Sequence, residues 1–337
     1  MKRETVIYIP YWIKRSKTNE YITNTIQILQ EKYQVNGDLA EPFEISKMLH
    51  TKAVFLNWIE QDLDTKMKIQ ISLHKLLGAQ IIWVFHNKYP HDVKQDEHIC
   101  KNINWIANHS SRIVLHSKNS VQFIPNLNKN RNKAVYIPHL LYKSHNENVD
   151  LNEVRAKYGI CQKDFVFLIF GRIRPYKNIE EGIEVFRALK LHDAKLIIAG
   201  KPEDNKYADK LKRLCRDDSD IILDLQFISN MMLDNLIDIS DVVVLPYKDG
   251  SSMNSGVMIQ AFSRRTTVIT PDICMARDMA EEKFFYMYKN SLEKVMMKAY
   301  KNGKDTNKFM GMCAGKYLNK NNNWEEVKKK IYDLLGD

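Results

Sequence analysis

The sequence has little to tie it to a metal or to redox chemistry. Its five cysteines, Cys100, Cys161, Cys215, Cys274 and Cys313, are scattered, and no CxxC pair occurs. That argues against a zinc ribbon or a thioredoxin-type site, and against a disulfide framework in a chain of 337 residues. Glycine (12) and proline (9) are scarce, which excludes collagen-like and long low-complexity structure. Neither GxGxxG nor GK[ST] occurs, so there is no dinucleotide fingerprint and no P-loop. No run of about 18 apolar residues marks a membrane span. The basic start, MKRETVIYIPYW, has an apolar run too short for a signal peptide and reads as a first strand. A cytoplasmic protein is the expectation.

What is present is an ordinary globular composition with a basic balance. Hydrophobic residues make up 44%, enough for two sizeable cores. Lys and Arg number 51 against 41 Asp and Glu, a net charge of +10 that favours an anionic partner without choosing one. The basic residues are spread along the chain rather than gathered on one motif, so nucleic acid is the weakest partner class.

Short apolar runs alternate with longer amphipathic stretches. TVIYIP (5–10), AVFLNW (53–58), QIIWVFH (80–86), RIVLHS (112–117) and AVYIPHL (134–140) read as strands buried on both faces. Helical patterns lie between them at about 19–32, 62–77, 94–108 and 118–123. After Leu141 comes a polar stretch, YKSHNENVD, and then the alternation restarts. FVFLIFG (165–171), AKLIIAG (194–200), DIILDLQFI (220–228), DVVVLPY (241–247) and TTVITP (266–271) read as strands of a second series. The pattern implies an α/β protein of two Rossmann-like, doubly wound domains facing a cleft. The expected division is 1–145, 146–318 and a terminal helix in 319–337. In that helix Trp324, Val327, Ile331, Leu334 and Leu335 share one face, suited either to the second domain or to a return to the first.

Three segments carry candidate chemistry. FGRIRPYKN (170–178) packs Arg172, Arg174 and Lys177 into a strand-to-helix turn, with Asn178 placed to cap the helix. Such a turn suits a diphosphate, and a solvated basic turn explains it equally well. PYKDGSSMNSGVMIQAF (246–262) places Ser251, Ser252, Asn254, Ser255, Gly256 and Val257 at a helix start. Free N–H groups there bind phosphate, although Ser at such a position is also an ordinary cap. HNKYPHD (86–92) follows a buried strand and offers His86 and His91 as a general base or as ligands of a sugar hydroxyl.

Together these residues resemble the nucleotide-sugar domain of GT-B glycosyltransferases, and glycosyltransferase family 4 in particular. The matching positions are Gly171-Arg172 with Lys177, Ala199-Gly200, Asp241 to Tyr247, and Thr267 to Thr270 with Thr in place of the usual Pro. The tail from Trp324-Glu325 through Tyr332 resembles the returning helix of that fold. The likeness covers 165–337, whereas the first half matches only in its alternation and an HN motif. It implies that Arg172 and Lys177 hold the donor diphosphate, that amides around Ser255, Gly256 and Val257 cradle phosphate, and that Ile228 lies near the base. The family's two spaced glutamates fall on Ser252 and Gln260. Gln260 can still bond ribose hydroxyls, but Ser252 does not replace a carboxylate facing the donor sugar.

The resemblance implies a metal-independent transferase, with a hexosyltransferase expected. It would move a sugar from a nucleoside-diphosphate donor to a hydroxyl of a glycan or lipid-linked glycan in surface polysaccharide or glycoconjugate synthesis. UDP and GDP donors stand open, and no cofactor is expected beyond the nucleotide sugar. The acceptor would enter at Tyr11, Trp12 and Asn19 after the first strand, which also read as an exposed basic loop with Lys14 and Arg15. A peripheral contact with the inner face of an anionic membrane fits the charge. The alternatives are a nucleotide-sugar epimerase or hydrolase, and a non-catalytic nucleotide-sugar binding module.

Overall fold

The computed structural model describes residues 4–9, 19–88, 97–145, 149–248 and 253–337. The chain forms two units, Met1–Leu140 with Asn323–Asp337, and Leu141–Asn322. The first contains β1 (Thr5–Ile9), α1 (Glu20–Gln30), β2 (Gln34–Asn36), α2 (Ile45–Leu49), β3 (Thr51–Asn57), α3 (Thr65–Leu76), β4 (Gln80–Val84), α4 (Glu97–His109), β5 (Arg112–Leu115), α5 (Leu127–Asn130) and β6 (Ala134–Tyr136). Its strands form one parallel sheet in the order β2-β1-β3-β4-β5-β6.

The second unit contains α6 (Leu151–Lys157), β7 (Phe165–Phe170), α7 (Ile179–Leu189), β8 (Ala194–Ala199), α8 (Asn205–Leu214), β9 (Ile221–Asp224), α9 (Asn230–Asp238), β10 (Val242–Val244), α10 (Gly256–Ser263), β11 (Thr267–Pro271), α11 (Cys274–Asp278), β12 (Tyr286–Tyr288) and α12 (Leu292–Asn321). Its parallel sheet runs β12-β11-β10-β7-β8-β9. The final helix, α13 (Trp324–Leu335), belongs to the first unit.

These are the two parallel α/β sheets that the alternation implied. The strand residues are buried on both faces: β7 reads FVFLIF with every side chain inside, as a sheet covered by helices on both sides requires. Helix starts are set by local polar chemistry. Asp64, Asp204 and Asn323 each accept a backbone N–H of the first turn that follows.

Seven elements were not legible as such, among them the short helices α2, α5 and α11. β2 and β12 are three residues each, too short for a periodic signal. α6 begins directly after the polar connector, at Leu151, and carries no helix signal of its own beyond its Asp150 cap. α12 lies where the second series had seemed to close. Its signal is weakened by Gly303, whose φ of 75° breaks the helix, and by its polar asparagines. Asn307 inside α12 and Asn323 just after it are structural. Asn307 bonds the carbonyls of Ala299 and Gly303, and Asn323 caps α13. The segment 118–123 is a 3₁₀ turn rather than an α-helix.

The return of the tail is built from apolar burial. Val327, Ile331, Leu334 and Leu335 pack with Val6, Tyr8, Ile22 and Ile26 in the first unit's core. Tyr332 adds a hydrogen bond from its hydroxyl to the Ile28 carbonyl at 2.9 Å. Leu141 and Asn322, the two crossing points, are joined by a backbone bond of 3.0 Å.

Candidate functional site

In the second unit the basic turn follows β7 directly. Gly171 has φ 95°, a conformation in the left-handed region that only glycine adopts without strain. Arg174 precedes a 3₁₀ turn, Pro175–Lys177, that brings the chain back over the strand end. Lys177 is 4% exposed, and its Nζ donates to the Phe170 carbonyl at 3.0 Å. Burial, then the neighbouring Arg174 charge, push its pKa down to about 7. Arg172, in the same turn, is exposed. Asn178 does not cap α7 as expected. It has φ 53° and makes no side-chain cap bond, and its Nδ2 donates to Glu181 instead.

The α10 segment meets this turn although more than seventy residues separate them. β10 pairs with β7, so their carboxyl ends lie side by side. The Lys248 N–H donates to the Tyr176 carbonyl at 3.3 Å, tying the two loops together. A side chain at Gly171 would meet Lys177 Nζ at 2.9 Å and Val257 Cγ2 at 3.6 Å. One at Gly200 would lie 1.9 Å from the Gly171 carbonyl oxygen, so β8 also ends against this point. Ser255 accepts the Met258 N–H at 3.2 Å and is an N-cap. The first turn of α10, through the Val257 side chain, and the buried ammonium therefore approach the same glycine, an arrangement suited to a phosphate group.

The remaining second-unit candidates are placed as follows. Asn254 and Gln260 are half-buried in the same segment. Ile228 follows the edge strand β9 and packs on the core, two strands away from β7. Ser251 and Ser252 lie outside the described residues.

In the first unit His86 follows β4. Its Nε2 stands 3.1 Å from Asn57 Oδ1 at the end of β3. The ring stacks on Trp58 with centroids 3.9 Å apart. His116, after β5, and His139, after β6, were not singled out from the sequence. All three imidazoles surround Tyr21, each 5.2 Å from its ring. Burial pushes His116 down to about 3 and His139 to about 4, and holds His86 well below the usual imidazole range. The signal was available, since a histidine follows each of three consecutive strands; what was missing was their convergence. Asn19 caps α1 through a bond from the Ile22 N–H. Tyr11, Trp12, Lys14, Arg15 and His91 lie outside the described residues.

Residues 150–310 match the family model for glycosyl transferases group 1. Over 104 residues, 31% of this chain, it is 32% identical to a GDP-mannose:glycolipid 4-beta-D-mannosyltransferase from Xanthomonas campestris pv. campestris. The match spans 29% of that relative's length. Among solved structures, Anabaena Alr3699/HepE in complex with UDP superposes with a TM-score of 0.75 at 12% identity, covering 100% of both chains. Sucrose-phosphate synthase from Thermosynechococcus elongatus gives 0.67 at 12% identity, over 94% of this chain and 78% of that one. The chain has the GT-B fold that these superpositions share. No helix among the described residues is long and apolar enough to cross a membrane.

Proposed function

We propose, for a chain whose second unit belongs to the glycosyl transferases group 1 family, that it transfers a sugar, a hexose in our reading, from a nucleoside-diphosphate donor to a hydroxyl of a glycan or lipid-linked glycan. The observation that carries the reading is the meeting of Lys177, Gly171 and the α10 amino terminus at one point. Lys177 and Arg172 stabilise the charge that develops on the departing diphosphate, and the α10 amides hold a phosphate oxygen. Val257 lines the same point, and Gln260 serves the ribose. Fixed donors in a water-poor site are worth more there than in bulk solvent.

His86 supplies the acceptor-side chemistry in this reading, with the first unit as the acceptor domain. A lipid-linked acceptor is supported by the glycolipid mannosyltransferase among the relatives and by the net charge of +10, and places the work in surface glycan synthesis. The test is a thermal-shift panel over UDP, GDP and their sugars, followed by transfer assays with and without lipid-linked glycans. Stabilisation by one nucleoside diphosphate and acceptor-dependent release of it support the reading. Donor turnover without an acceptor points to a hydrolase or epimerase, and tight donor binding without turnover to a binding module.

A further inference from the structure

The first unit has a second concave surface, at the edge of its sheet. β1 and β2 pair in parallel, with Thr5 opposite Gln34 and Ile7 opposite Asn36. Side chains two apart in a strand share a face, so these four lie on one side of the sheet. They floor a cavity of about 540 Å³. Loop 37–40, with Asp38, forms one wall, and Glu44 with Lys47 and His50 forms the other. The volume falls within the roughly 300–1,000 Å³ of small-molecule sites.

Both walls are fixed by contacts within the unit. The Ala40 N–H donates to His74 Nε2 at 3.3 Å, and the Ala40 carbonyl accepts from Gln70 Nε2 at 3.2 Å. Both of these partners are buried on α3. Glu44 accepts the Glu41 N–H at 2.9 Å and pairs with Lys47. His50 Nδ1 donates to the Ser46 carbonyl at 2.7 Å. A cavity shaped in advance loses less entropy when a ligand enters.

The lining selects against the ligands that suit the rest of the protein. Glu4, Asp38 and Glu44 bring three carboxylates to the cavity, and Lys47 is already engaged by Glu44. In a chain of net charge +10 this is a locally acidic place that repels phosphate. Among the described residues no group of three or more His, Cys, Asp or Glu is placed to hold a metal ion. What the lining matches is an uncharged molecule dense in hydroxyls. A hydroxyl donates to carboxylate and amide oxygens and accepts from amide N–H groups. Gln34, Asn36 and Asp38 supply both kinds of partner, and the bond to an ionised carboxylate is the stronger one. Phe43, next to Glu44 in the chain, is 82% exposed. It offers a flat apolar surface of the kind the less polar face of a sugar ring covers.

We propose that this groove holds a neutral oligosaccharide, in a site built from residues of the first unit alone. It goes beyond the transfer reading and does not rest on it, since binding here uses neither Lys177 nor His86.

The test is binding to the full chain, read by saturation-transfer difference NMR and titration with four neutral probes: maltotriose, cellotriose, mannotriose and triacetylchitotriose. At least one should bind. Gln34→Ala, Asp38→Ala and Phe43→Ala should each weaken it by about 2- to 10-fold, the loss expected for one contact. All three side chains are exposed, and circular dichroism checks that the variants fold. Saturating UDP or GDP should leave the affinity within about twofold. Binding of none of the four probes overturns the proposal, as does an affinity unmoved in Gln34→Ala and Asp38→Ala. Displacement by UDP or GDP places the sugar in the nucleotide site and overturns it too. Spermidine bound more tightly than every trisaccharide, and lost in Asp38→Ala, makes the groove a cation site and overturns the neutral ligand. Failure here leaves the transfer reading intact, because that reading is tested by acceptor-dependent release of a nucleoside diphosphate.

Discussion

The ammonium of Lys177 occupies the place a side chain on Gly171 would need, 2.9 Å from that Cβ position. The glycine is required twice, for its φ of 95° and for the space it leaves to a buried cation. Gly171→Ala should therefore displace Lys177 as well as strain the turn. We expect a stability loss of about 1–2 kcal/mol for the left-handed residue, together with weakened nucleoside-diphosphate binding. Denaturant melts and donor titration check both, and unchanged donor affinity would remove Lys177 from the site.

Charge removal should act on the same contact. Lys177→Met keeps the stem, and Arg172→Ala removes an exposed guanidinium. Loss of a charge-assisted bond to diphosphate costs about 1.5–3 kcal/mol, on the order of 10- to 100-fold in Kd. Lys177→Met should show the larger effect because its ammonium is buried. Calorimetry across UDP and GDP reads the result.

The pKa of Lys177, pushed down to about 7, makes donor binding pH-dependent. A bound diphosphate favours the ammonium and raises that pKa, so binding takes up protons above pH 7. Affinity should be flat below about pH 7 and fall as pH rises, by at most tenfold per unit for one proton. Calorimetry in buffers of different ionisation heat should register proton uptake near pH 8, and Lys177→Met should abolish it. No uptake in the wild-type protein would contradict the assignment.

Gln260 sits half-buried on α10. If it serves the ribose, Gln260→Ala should lower affinity for nucleosides, and Gln260→Glu should be tolerated or improve it, because a hydroxyl donates more strongly to a carboxylate than to an amide. Equal affinities for all three proteins would place the ribose elsewhere.

The buried histidines should make the first unit acid-sensitive. His116 and His139 have native pKa values of about 3 and about 4, below the unfolded value near 6.5. Between those limits the unfolded chain binds more protons than the native one, so stability falls as pH drops. Their contribution is complete above about pH 6.5 and declines below it, by at most about 1.4 kcal/mol per pH unit for each ring. Unfolding curves at pH 7, 5.5 and 4.5, compared with His139→Asn, test this. A wild-type stability that does not change over that range would refute it.

What the residues alone determined is the part of the molecule written in short-range pattern. Unbroken Val/Ile/Phe runs such as 165–170 specify buried parallel strands, and the alternation specifies two α/β sheets. The Gly-Arg…Lys turn and the Ser-Gly helix start were legible because each is a local conformation with its own chemistry. The apolar face from Val327 to Leu335 marked a helix that needed a partner, but not which one. Tertiary structure decided that the partner is the first unit's core. It also brought Lys177 and Val257 to one glycine, because β7 and β10 are neighbours in the sheet and not in the chain. The ring cluster at Tyr21 has the same origin. His86, His116 and His139 each follow a strand, and only the adjacency of β4, β5 and β6 turns three separate strand ends into one site.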